Sequence, residues 1–132
     1  MKKDIPVHKV TDLAIAMVPG KEDKDMWDCY LLNFYPKPLT GVLVSSRGYG
    51  ELDEKPKKTT TLRHFFEEIE SHCACLIEPI QTSLFELTNE YWVSFMLDNY
   101  MYDKKYVFVT GAISDEHFTT IPFLNCQGVM IR

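Results

Sequence analysis

The feature that most constrains this chain is a pair of strand-like runs around a short break. Glu90-Tyr91-Trp92-Val93-Ser94-Phe95-Met96-Leu97 leads into Asp98-Asn99, and a second run from Met101 to Thr110, dominated by Tyr, Val and Phe, follows. β-branched and aromatic side chains fit a pleated surface, and Asp and Asn tolerate the left-handed backbone that tight turns use. The two runs therefore read as an antiparallel hairpin.

The rest of the chain carries similar signals at short intervals. Trp27-Asp28-Cys29-Tyr30-Leu31-Leu32-Asn33-Phe34-Tyr35 fits a strand between a loop at Pro19 to Asp25 and a stiff turn at Pro36-Lys37-Pro38. Leu39 to Ser46 is another strand, and Gly48-Tyr49-Gly50 marks a bend or bulge. Glu51 to Lys58 is so charged that it reads as a solvated loop. Cys73 to Ile80 is a strand with Pro79 at its end, and Leu124 to Ile131 a turn followed by a last short strand. Ile113 to Thr119 suggests one helical turn, with Ser114 as its cap.

Thr59 to His72 supports two readings. Leu62, Phe65, Phe66 and Ile69 follow helical spacing, whereas the preceding Thr59-Thr60-Thr61 favours a strand, since β-branched side chains lose χ1 freedom in a helix. The strand is preferred, with a helical turn near Glu67 to Ser71. Seven or eight short strands then give a mainly β fold, an antiparallel β-sandwich or partly open barrel with one or two short helical turns. The alternative is an α+β domain with one helix over roughly Leu62 to Ser71.

Aromatic residues form 13% of the chain and stand on both faces of the strands. Tyr91, Val93, Phe95 and Leu97 alternate with Trp92, Ser94 and Met96; Trp27, Cys29, Leu31 and Tyr35 alternate with Tyr30, Leu32 and Phe34. A sheet with one wet face alternates more cleanly. The second face is expected to lie beneath a loop or short helix of the same chain, or against another chain.

Composition narrows the function. A length of 132 residues fits one domain spanning residues 1–132, large enough to fold without metal or disulfide. The net charge of −5 argues against a nucleic-acid binder, which displaces counterions with a basic face. No apolar run is long enough for a membrane span. The six apolar residues from Leu13 to Val18, ending at Pro19-Gly20, are too short for an export signal, so Cys29, Cys73, Cys75 and Cys126 are expected as reduced thiols in the cytoplasm.

Candidate chemistry is sparse. Arg63-His64, with Glu67, Glu68, Glu70, His72, Cys73 and Cys75 behind, contains metal-ligating types, but Cys-x-Cys lacks the usual zinc spacing, and on a strand His72 and Cys73 point apart. No metal and no cofactor are expected. Cys73 or Cys126 with His64, His72 or His117 has no hydrolase signature, and Ser45, Ser46 and Ser94 lack a nucleophile elbow. Gly48-x-Gly50 is half a phosphate fingerprint, spoiled by Glu51, Asp53 and Glu54, although Arg47 beside it is able to hold an anion.

Ser46-Arg47-Gly48-Tyr49-Gly50, Lys58-Thr59-Thr60-Thr61-Leu62-Arg63-His64, Asn89-Glu90-Tyr91-Trp92-Val93-Ser94-Phe95, Tyr102-Asp103-Lys104-Lys105-Tyr106 and Ile121-Pro122-Phe123-Leu124-Asn125 run through most of the chain. Together they resemble a family of short bacterial proteins labelled "phenylalanyl-tRNA synthetase subunit alpha". The resemblance implies a tRNA-related role but brings no catalytic residue or cofactor. Gly48-Tyr49-Gly50 is followed by acids and the next arginine is Arg63, so the glycine-rich, arginine-ended motif of a class II synthetase is missing.

Three functions stand as expectations. The first is a small cytoplasmic interaction module without catalysis, partnered by itself as a homodimer or by another protein. The second is a small-ligand binder or enzyme with a pocket around Arg63 and His64, with Arg47 and Tyr49 as further binding residues. The third is the tRNA role implied by the resemblance.

Overall fold

The computed structural model describes residues 9–132. Ten strands form two five-stranded antiparallel sheets: β1 Leu13–Pro19, β2 Met26–Asn33, β3 Leu39–Leu52, β4 Lys55–Lys58, β5 Leu62–Ile69, β6 Cys73–Gln81, β7 Thr88–Leu97, β8 Tyr100–Phe108, β9 Thr119–Ile121 and β10 Cys126–Ile131. One sheet has the order β6-β2-β1-β10-β9. The other runs β4-β3-β7-β8, and β5 also pairs with β3. The mainly β expectation holds, and the open sheets suit a sandwich or partly open barrel. Among the described residues no helix is long and apolar enough to cross a membrane.

The hairpin of β7 and β8 closes through Asp98 and Asn99 at φ 52° and 65°, with Leu97 opposite Tyr100. Two consecutive positive φ values define the turn that matches strand twist. The same device at Asp53 and Glu54, φ 53° and 64°, pairs Leu52 with Lys55. Glu51 to Lys58 is thus a hairpin and not a loop. Its lysine-rich strand is exposed throughout, which hides any apolar alternation and suits a sheet edge.

Three further expectations are corrected. The segment from Leu62 to Ser71 is no helix: β5 runs to Ile69, a turn with His72 at φ 51° follows, and no helical turn forms over Glu67 to Ser71. The described residues hold ten strands, more than seven or eight, because β1, β4 and β9 lack period-2 patterning. Near Ile113 to Thr119 only Asp115–His117 forms a 3₁₀ turn; Ser114 makes no side-chain cap bond.

The main core lies between the sheets. Leu13, Ile15, Met17, Cys29 and Leu31 from one sheet join Val42, Val44, Tyr91, Val93, Phe95, Tyr106 and Phe108 from the other, all essentially buried. A bulge keeps the long β3 in register with this core. Thr40 faces Met96 while Leu43 faces Ser94, so β3 has one residue more than β7 there. Gly41 sits within it at φ 55°, where a glycine avoids left-handed strain.

The outer faces differ. Ala14, Ala16 and Leu32 on the outside of β1 and β2 are fully buried with Ile121 of the β9–β10 hairpin, and Leu124, Phe34 and Tyr30 pack around them. The arrangement needs Gly128, since a Cβ there would meet the Met17 carbonyl oxygen at 2.5 Å. The middle of this face is covered by the chain's own hairpin, while Leu76 on the β6 edge stays 49% exposed. Among the described residues no such hairpin covers the other sheet's outer face: Phe65 is 64%, Met101 75% and Trp92 49% exposed.

Candidate functional site

Arg63 and His64 do not converge on one pocket. Alternation along β5 puts them on opposite faces. His64 is on the inner side, where Nε2 lies 2.7 Å from Glu78 Oε1. Arg63 is exposed on the outer side, in a shallow depression with Thr61, Ser45 and Trp92, and has no ion-pair partner among the described residues.

Glu78 is the functional candidate that sequence reading missed. Cys29 pairs with Glu78 and Tyr30 with Leu76, leaving Ile77 as an extra residue on β6. That bulge turns Glu78 inward, opposite the buried Cys29. Glu78 Oε1 accepts from Ser46 Oγ at 2.8 Å as well as from His64, and Oε2 accepts from Tyr91 OH at 3.1 Å. These three donors come from β3, β5 and β7, so one carboxylate on β6 ties three strands of the facing sheet. The signal was present: Cys75, Ile77 and Ile80 are all core-facing, and no strand of unbroken period 2 allows that.

Burial dominates the nearby acid groups. It pushes the Cys29 thiol far above its ordinary range, with the Glu78 and Asp28 charges adding to the rise and a hydrogen bond with Tyr91 opposing it. The Tyr91 phenol is likewise raised, first by burial and then by Cys29 and Glu78. Cys29 is an inert core thiol under these conditions. All four cysteines are free. No group of three or more His, Cys, Asp or Glu among the described residues is placed to hold a metal ion.

Arg47 and Tyr49 stand on the outer face with Arg63. Arg47 Nε bonds Glu90 Oε2 at 2.7 Å and its guanidinium lies 5.3 Å from the Tyr49 ring centre. Lys105 Nζ reaches Glu90 Oε1 at 3.0 Å and lies over Trp92 at 5.0 Å. Desolvation raises the Glu90 pKa, but the bonds and charges of Arg47 and Lys105 outweigh it, so the carboxyl is held below its ordinary value. Glu90 is bracketed by these two cationic side chains on the outer face.

The register sets the outer face into rows. Arg63, Ser45, Trp92 and Lys105 form one; Phe65, Leu43, Ser94 and Asp103 form the next; Met96 and Met101 lie beyond. Aromatic and aliphatic groups are framed by charges of both signs. The chain matches no protein-family model, no curated protein and no solved structure. Residue roles here rest on geometry alone.

Proposed function

We propose that the protein is a non-catalytic docking module that pairs with a second copy of itself through the outer face of β5, β3, β7 and β8. One observation carries this reading: the β9–β10 hairpin covers the outside of β1 and β2, whereas among the described residues Phe65, Leu43, Trp92, Met96 and Met101 stay exposed together on the other sheet. Contiguous exposed apolar side chains of this kind mark interaction surfaces.

The charges favour an identical partner and one orientation. A two-fold axis across the strands, between the Trp92 and Ser94 rows, lays each strand on its own copy in the reverse direction. Lys105 then meets the partner's Asp103, and Arg63 meets the partner's Phe65, giving an ion pair and a cation–π contact. An axis along the strands would instead set Arg63 against the partner's Lys105. Like charges disfavour that arrangement.

Free cysteines support a cytoplasmic address, and net acidity speaks against a nucleic-acid partner. Light scattering after size exclusion tests the reading. Twice the chain mass at micromolar concentration is expected, and a single-chain mass overturns it.

A further inference from the structure

Glu78 is held in the interior with His64, charged only when protonated, as its ion-pair partner among the described residues. Its side chain is 9% exposed, and Ser46, His64 and Tyr91 are its hydrogen-bond partners among the described residues. A carboxylate has about four lone-pair positions, so three donors leave a place for one more. Buried charges are ordinarily paired, and here no Lys or Arg among the described residues does so.

A hollow of about 260 Å³ opens beside this carboxylate. Glu78, Ser46, Tyr91, Thr59, Thr60 and Asn89 give its polar lining, and Leu62, Ile80 and Leu84 its apolar lining. Arg47 also borders it, but its guanidinium is engaged by Glu90 on the outer face. The volume lies below the roughly 300–1,000 Å³ of pockets for drug-sized ligands, which suits an occupant of about one ring.

We infer that this hollow binds a small organic cation, a primary ammonium against Glu78 with its apolar body against Leu62, Ile80 and Leu84. The free acceptor position, the lack of a fixed Lys or Arg counter-charge among the described residues and the apolar walls each select one part of that ligand. An anion would be repelled by Glu78. A neutral alcohol satisfies the acceptor but not the charge. His64 does not line the hollow; it positions Glu78. The site is distinct from the exposed face, so failure of self-association would leave it untouched.

Benzylammonium serves as the probe, with benzyl alcohol and benzoate as its neutral and anionic counterparts. A ligand that binds only the folded chain raises Tm. The expected result is a saturable rise of a few degrees with benzylammonium and none with benzoate. Glu78→Gln should abolish it. Leu62→Trp, which fills the hollow from an exposed position and leaves Glu78 in place, should abolish it too, and this keeps the test decisive if Glu78→Gln does not fold. No rise with the wild-type chain, an equal rise with benzyl alcohol, or a rise that survives Leu62→Trp overturns the inference.

Discussion

Arg63 and His64 are consecutive in the chain and belong to different surfaces. His64 reaches across to Glu78 on the facing sheet, while Arg63 lies outside in the row of Trp92. A single step along β5 separates a group that ties the two sheets from one available to a partner.

Asp103→Lys should separate the proposed pair. In that arrangement the substitution sets a lysine against the partner's Lys105, so light scattering should show the mass falling to one chain. Asp103 is exposed, and stability should change by no more than about 0.5 kcal/mol. An unchanged doubled mass would refute the proposed orientation.

The Arg47–Glu90–Lys105 cluster should make stability depend on acid. A carboxyl whose folded pKa is depressed contributes stability above its unfolded value, and that contribution is lost as pH falls through the folded value. Urea denaturation should show wild type more stable than Glu90→Gln near neutrality. The advantage should shrink below the ordinary value of 4.5 and vanish once Glu90 is protonated in the folded chain.

The two structural glycines should fail differently. At Gly41 no atom lies within 4 Å of an added Cβ, so Gly41→Ala bears only the cost of φ 55°, about 1–2 kcal/mol. Gly128→Ala must also move the Met17 carbonyl. Denaturation midpoints should therefore fall further for Gly128→Ala than for Gly41→Ala.

Asn33 is fully buried and bridges the end of β2 to the turn after β5. Its Nδ2 donates to the carbonyls of Ile69 at 3.3 Å and Glu70 at 3.0 Å, and its Oδ1 accepts from Tyr35 N at 2.9 Å. Asn33→Ala strands buried backbone groups, and a loss of about 1–3 kcal/mol is expected in equilibrium unfolding.

Thiol accessibility gives a direct check on the interior. Ellman's reagent should spare Cys29 in the folded chain and reach it only on unfolding, while Cys73, Cys75 and Cys126, all partly exposed, react first. Cys75 should lag behind an ordinary thiol, because burial and then the neighbouring Cys73 raise its pKa.

What was legible in the sequence was whatever depends on local patterning. Asp98-Asn99 between two aromatic runs identified the β7–β8 hairpin because that turn needs residues tolerant of positive φ. β1 was hidden for the opposite reason: buried on both faces, it reads as a continuous apolar run. Helical spacing in β5 arose because Phe65 faces outward and Phe66 inward, an arrangement that mimics adjacent core positions of a helix. Arg63 and His64 stood out in the sequence as chemistry-bearing types, but alternation along β5 divides them. Glu78 depends on a bulge defined by pairing with β2, a relationship between strands more than forty positions apart in the chain.

The β9–β10 hairpin folded over Ala14 and Ala16 makes the two sides of the sandwich unequal. In the proposed pair that hairpin would point away from the shared surface on each subunit, and Ala14 and Ala16 beneath it would stay out of reach of any further copy.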